Sequence, residues 1–253
     1  MELGRVDICC ELSMMSSHLA LPRERNLEEG LHMFSYLKSH ADSEMLFDPS
    51  RVEFDKDLFP KTDWGYSIYA QAASDSQEEL PRDISKSRSK GMDMRVYVDS
   101  DHAGDTVTRR SRTGFVIFLN GAPIYWKSKK QTSCETSSFG SEFCAMNQAT
   151  EYVKGFCYKL RMMGIPVEDP TFIFGDNQAV LTSTIMPESI LKKKTQSIVY
   201  NFVQEGCARD EWRTAYISTH ENVADMLTKP LPSGEKRWKF VWILLHHLAP
   251  QGL

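Results

Sequence analysis

The sequence predicts an α/β fold: a five-stranded mixed sheet, three antiparallel strands followed by two further strands, with helices on both faces. Three observations point there. Apolar runs at residues 94–98, 113–119 and 122–127 have strand length, and Asn120-Gly121 joins the last two as a strong hairpin dipeptide. Residues 139–163 then change to a helical period, with Phe143, Met146, Val153, Cys157 and Leu160 as the apolar positions. Beyond them, strand-like and helix-like segments alternate.

In order, residues 1–40 read as helical with a break at residues 19–22. Asn26 is the expected N-cap of a helix ending at Ser39, with apolar positions Leu27, Leu31, Phe34 and Leu37. Residues 42–90 are acidic and contain Pro49, Pro60 and Pro81; the polar stretch before Gly91 sets the main boundary there. The first strand ends at Asp99. Ser137 or Ser138 caps the long helix, which Gly164 stops. A short strand follows at 171–174, ending at Gly175-Asp176, then helices at 177–184 and 193–208 and a strand at 212–217. A short helix at 223–228 and a terminal one at 234–248 close the chain. Three regions result: 1–91, 92–232 and a C-terminal helix, 233–253.

At 253 residues, with 41% hydrophobic and 25% charged residues, the composition is that of a globular protein able to bury a substantial core. The formal net charge of -4 conceals an asymmetry: residues 106–134 contain no acid but do contain Arg109, Arg110, Arg112, Lys127, Lys129 and Lys130. Such a basic patch can meet phosphates, or it can be a solvated face. Lys192, Lys193 and Lys194 form a second cluster, read as solvated surface. The six cysteines lack metal-ligand spacing and read as reduced thiols. No signal pattern or membrane-length apolar run is present, so secretion and membrane insertion are not expected.

Four acids stand at expected strand ends or helix starts: Asp99, Glu142, Asp176 and Asp225. Hard divalent ions take oxygen ligands, and in-line phosphodiester hydrolysis benefits from two of them about 3.5–4 Å apart. Acids gathered at one sheet mouth would suit that chemistry. Singly, Glu142 also fits a helix-dipole role, and Asp176 and Asp225 fit N-caps. Asp101 shares a face with Asp99 if the first strand continues; Asp105 reads as a turn residue.

The strings VYVDSDHAGD, RRSRTGFVIFLNGAPIYWKSKKQ, ETSSFGSEFCAM, FGDNQAV and ENVADMLTKPLP, in that order over residues 93–232, resemble the successive blocks of copia-type retrotransposon ribonuclease H. The resemblance implies a ribonuclease H-like fold and hydrolysis of the RNA strand of an RNA–DNA hybrid. It also implies two Mg²⁺ ions, with Mn²⁺ as a substitute, held by Asp99, Glu142, Asp176 and Asp225. On this basis Arg109, Arg110, Arg112, Lys127, Lys129 and Lys130 are candidate contacts to the hybrid. Asn177 and Gln178 are placed to reach 2′-hydroxyls or to cap the next helix. His220 lies where cellular enzymes of this type carry a mobile histidine, though an essential role is not expected. Trp126 reads as core. Two departures from the family stand out: Gly140 replaces a non-ligand acid, and Thr195 and Asn201 replace two histidines.

The first 50 residues are similar to the segment joining reverse transcriptase to ribonuclease H in copia polyproteins. No Tyr-x-Asp-Asp polymerase motif occurs. The chain therefore reads as the C-terminal piece of a polyprotein without polymerase activity, with the polymerase domain as a partner and N-terminal helices deprived of packing. An intracellular setting, in a cytoplasmic virus-like particle or the nucleus, is implied. The alternative is a degenerate or co-opted fragment that binds nucleic acid without catalysis. An integrase orders its acids Asp, Asp, Glu, which disfavours that activity here.

Overall fold

A computed structural model describes residues 4–70, 81, 91–167, 169–187 and 197–245. Its centre is a five-stranded mixed sheet in the order β3-β2-β1-β4-β5. Strands β1 (Met94–Asp101), β2 (Arg112–Leu119) and β3 (Ala122–Lys130) are antiparallel neighbours. Strand β4 (Thr171–Gly175) runs parallel to β1, and β5 (Trp212–Tyr216) parallel to β4. This is the α/β architecture expected from the sequence, a five-stranded mixed sheet with helices on both faces. In this topology the C-terminal ends of β1, β3, β4 and β5 and the start of β2 share one edge.

Seven α-helices occur among the described residues: α1 (Cys9–Ser16), α2 (Glu24–Ser39), α3 (Ser138–Met162), α4 (Gln178–Ile185), α5 (Ser197–Ala208), α6 (Asp225–Thr228) and α7 (Glu235–Leu244). One sheet face presents Val96, Val98, Phe115, Ile117 and Ile173 to Phe143, Met146 and Val153 of α3 and to Tyr200 and Val203 of α5. The alternate residues, Val116 and Phe118, meet Val6, Cys9, Met226, Leu227, Phe240 and Leu244 on the other face. Period-2 alternation thus separates two cores that flank the sheet.

The hairpin forms as expected, with Asn120 at φ +53°. Ser137 is the N-cap of α3, accepting a hydrogen bond from Gly140 N, and Gly164 follows the helix end at φ +74°. Several boundaries differ from the sequence reading. Strand β1 runs two residues past Asp99, because its pairing with β2 continues to Asp101 opposite Arg112. Since α3 starts at Ser138, Glu142 lies beyond the first turn. Asn26 is not an N-cap: it sits inside α2, and its Oδ1 accepts a hydrogen bond from Arg23 N at 3.0 Å. Helix α6 begins at Asp225 instead of residue 223. Lys192, Lys193, Lys194, Thr195, the polar stretch before Gly91 and the expected last residues of the terminal helix lie outside the described residues.

Residues ahead of Gly91 contribute to the cores. Val6 and Cys9 are buried against β2 and α7. Phe54 and Phe59 pack edge-to-face on Phe172 of β4. Tyr69 Oη donates to Asn201 Oδ1 at 2.9 Å, so one residue standing in place of a family histidine has a structural partner. Tyr36 of α2 donates to the buried Asp7, which also pairs with Arg5. The opposite face of α2 leaves Leu27, Leu31 and Phe34 exposed. Its helical period was legible; this stripe is unpacked, while Val6 and Cys9 of the same region are buried.

Candidate metal centre

Local structure places each acid. Asp99 follows Tyr97 on the sheet face covered by α6, and its register partner is Gly114. A Cβ at residue 114 would lie 2.6 Å from Thr228 Cγ2, 2.9 Å from Leu227 Cβ and 3.0 Å from Ala224 O. Only a residue without a side chain lets α6 approach β2 this closely. That approach brings Thr228 Oγ1 to Asp99 Oδ2, to which it donates a hydrogen bond. Asp176 follows the last residue of β4, and its Oδ2 accepts from Thr219 Oγ1 at 2.7 Å. Glu142 projects from α3. The loop leading from β5 to α6 is fixed by Asn222, whose Nδ2 donates to Val98 O at 2.9 Å.

Asp99, Glu142 and Asp176 converge: one carboxylate oxygen from each lies within 4.8 Å of the other two. Asp99 is buried, while Glu142 and Asp176 are half-buried. Crowding Asp99 and Glu142 out of water beside Asp176 disfavours the charged forms of those two. Burial, followed by the Asp176 charge, pushes the Asp99 carboxyl up to about 7, against the hydrogen bond from Thr228. Burial and then the charges of Asp99 and Asp176 push Glu142 up to about 10. A divalent cation would remove this repulsion, and an all-oxygen donor set is what Mg²⁺ or Mn²⁺ takes. The residues therefore fit a hard cation.

Asp225, the fourth acid of the expected set, does not join this trio. Its fully buried carboxylate is paired with Lys229 through Oδ1 and with Lys236 of α7 through Oδ2. Asp101 neighbours Lys229 and Arg112 electrostatically, and burial raises its carboxyl above the ordinary range.

The basic candidates separate. Arg109, Arg110 and Lys129 are exposed. Lys130 is paired with Asp105 at 2.8 Å, and Asp105 Oδ1 also accepts from Val107 N and Thr108 N, as suits a turn residue. Lys127 lies over the Tyr152 ring at 4.5 Å. Arg112 is a correction: its side chain is buried and donates to Ser13 Oγ of α1 and to Ser128 Oγ, so it is not available to a phosphate. Asn177 caps α4, its Oδ1 accepting from Ala179 N and Val180 N; Gln178 beside it is exposed. His220 is exposed, next to Thr219. Trp126 packs against the second core, as expected.

The sequence reading did not single out Thr228, Lys229, Lys236, Thr219 or Gly114. A signal existed for two of them. In A-D-M-L-T-K, positions i, i+3 and i+4 of one helical turn share a face, which groups Asp225, Thr228 and Lys229. Lys236 and Thr219 come from other elements and gave none.

No protein-family model matches the chain. Over 140 residues, 55% of its length, it is 31% identical to the retrovirus-related Pol polyprotein from transposon RE2 of Arabidopsis thaliana. Over 139 residues it is 27% identical to the corresponding polyprotein from transposon TNT 1-94 of Nicotiana tabacum, again 55% of this chain. These matches cover 10% of each relative, so the chain aligns with about a tenth of the polyproteins it resembles. Among solved structures, LC11-RNase H1 in complex with an RNA/DNA hybrid aligns with 53% of this chain and 93% of its own at 17% identity and a TM-score of 0.43. RNase H1 of Halobacterium salinarum aligns with 53% of this chain and 93% of its own at 15% identity and a TM-score of 0.39. Superpositions this loose add nothing to the strand order itself. These two relatives are transposon Pol polyproteins, in keeping with the ordered blocks in the sequence. No helix among the described residues is long and apolar enough to cross a membrane.

Proposed function

We propose that the chain is a divalent-metal-dependent endonuclease of ribonuclease H type that cuts the RNA strand of an RNA–DNA hybrid. The observation that carries this reading is the meeting of Asp99, Glu142 and Asp176, which come from three separate elements, within 4.8 Å. Acids so distant in sequence and so crowded in space carry a persistent repulsion, which a bound cation relieves.

Asp99, Glu142 and Asp176 would hold Mg²⁺ or Mn²⁺. When bound, such an ion supplies an acidified water and stabilises charge on the phosphoryl oxygens. The chain's own part is positioning. Thr228 fixes one oxygen of Asp99, leaving the other for ligation. Thr219 does the same for Asp176. Arg109, Arg110 and Lys129 are assigned to the phosphate backbones, and Gln178, beside Asp176, to the 2′-hydroxyls that distinguish RNA from DNA. His220 is left without an essential role. Residues 92–232 would carry this whole apparatus. The helices ahead of them would extend it towards a polymerase domain, and the exposed Leu27, Leu31 and Phe34 are consistent with that.

The test is incubation of the purified chain with an end-labelled hybrid in Mg²⁺, in Mn²⁺ and in EDTA. Metal-dependent shortening of the RNA strand, abolished in Asp99→Asn, is expected. Cleavage that survives Asp99→Asn would remove the assigned site. A second reading, hybrid binding without turnover, is favoured by the lysine pairing of Asp225. Hybrid retention with no product under either metal would select it.

A further inference from the structure

The four acids expected to act together divide into two groups with different partners. Three face one another, and the fourth faces two ammonium groups. Asp225 is fully buried, and each of its oxygens carries a lysine: Lys229, one helical turn on, at Oδ1, and Lys236 from α7 at Oδ2, 2.5 Å away. Both lysines keep part of their side chains in solvent, Lys229 at 45% and Lys236 at 30% exposure, while their ammonium groups converge on one buried carboxylate. Helix α6 reaches the trio by another route, through the hydroxyl of Thr228 on Asp99.

We infer that Asp225 is the buried counter-ion that fastens α7 and the residues after α6 to the sheet, and that the pocket of Asp99, Glu142 and Asp176 takes a single divalent cation. This rests on the nuclease reading above and refines it.

Geometry supports the inference. To ligate, Asp225 would have to release at least one lysine, and a buried charge that loses its partner is costly. Lys229 also acts electrostatically on Asp99 and Asp101. The counter-ion role explains a further feature. Helix α7 contributes Phe240, Val241 and Leu244 to the second core, and Lys236, one turn before Phe240, fixes that helix at its start.

The experiment is Mn²⁺ titration of the full chain, with bound and free ion counted by electron paramagnetic resonance, alongside thermal unfolding. The wild type is expected to bind one ion. Asp225→Asn should keep that ion with its Kd within about threefold, while its Tm falls by about 5 °C or more because two lysines lose their anion. Asp99→Asn should weaken the ion by at least about tenfold. Two ions in the wild type, one of them lost in Asp225→Asn, would overturn the inference and leave the nuclease reading standing. No bound ion in the wild type at millimolar Mn²⁺ would remove both. Should Asp225→Asn fail to fold, the wild-type stoichiometry of one or two decides alone.

Discussion

Thr228 Oγ1 donates a hydrogen bond to Asp99 Oδ2 across 129 positions of sequence, joining α6 to β1 where both side chains are buried. This bond leaves Asp99 one oxygen for a cation and fixes its direction. Thr228→Val removes the donor while keeping the shape, so hybrid cleavage is expected to fall by about 10–100-fold, as when a partner of a metal ligand is lost. Thr228→Ser should restore most of it. Single-turnover rates at saturating hybrid, with the hybrid KM unchanged, would distinguish lost positioning from lost substrate binding.

Gly114 is required by the same approach of α6 to the sheet. A methyl group there meets Thr228, Leu227 and the Ala224 carbonyl at 3.0 Å or less. Gly114→Ala is therefore expected to lower stability by about 1–3 kcal/mol through overpacking. Urea unfolding measures this directly. An unchanged midpoint would show that α6 does not press on β2.

The pH dependence of the metal-free protein follows from the crowded trio. Folding raises the Asp99 carboxyl to about 7 and Glu142 to about 10, both above their unfolded values, so the folded state binds more protons than the unfolded chain between about pH 4 and those limits. Stability is therefore greatest near the unfolded carboxylate pKa values and declines as pH rises through 7 towards 10. Saturating Mg²⁺ should flatten the decline. Asp99→Asn should stabilise the metal-free chain at pH 8 by about 1–2 kcal/mol, as relieving a functional site of its repulsion commonly does, and by nothing at pH 4. Unfolding curves at both pH values check the sign.

Exposed and buried arginines should behave oppositely. Arg109→Ala and Arg110→Ala are each expected to weaken hybrid binding and lower the salt slope, log Kd against log salt, by about 0.9. Arg112→Met should leave the slope alone and reduce thermal stability, since that side chain serves Ser13 and Ser128 in the interior. Fluorescence anisotropy at four salt concentrations separates the two effects.

What the sequence made legible was local. Asn120-Gly121 fixed the hairpin because few dipeptides accept its backbone, and Asn120 does adopt positive φ. Ser137 and Gly164 bounded α3 by the chemistry of helix ends. Burial was less legible. The stripe of Leu27, Leu31 and Phe34 has the period of a buried face yet lies exposed, because period reports the helix and not what covers it. That Asp99, Glu142 and Asp176 act together was implied by the resemblance of the ordered blocks to copia-type ribonuclease H; strand ends and a helix start near one sheet mouth allowed it without singling it out. The separation of Asp225 was not implied, because Lys236 reaches it from a different helix and nothing in either segment encodes that pairing.

The most direct test of the central claim is the rate of RNA-strand cleavage by Asp176→Asn compared with wild type in Mg²⁺. Asp176 is the trio member with the least structural work to do: it is half-buried, and its hydrogen bond comes from the exposed Thr219. The account predicts a loss of at least about a hundredfold with folding intact by circular dichroism. Wild-type cleavage by this variant would contradict a cation site built from these three acids.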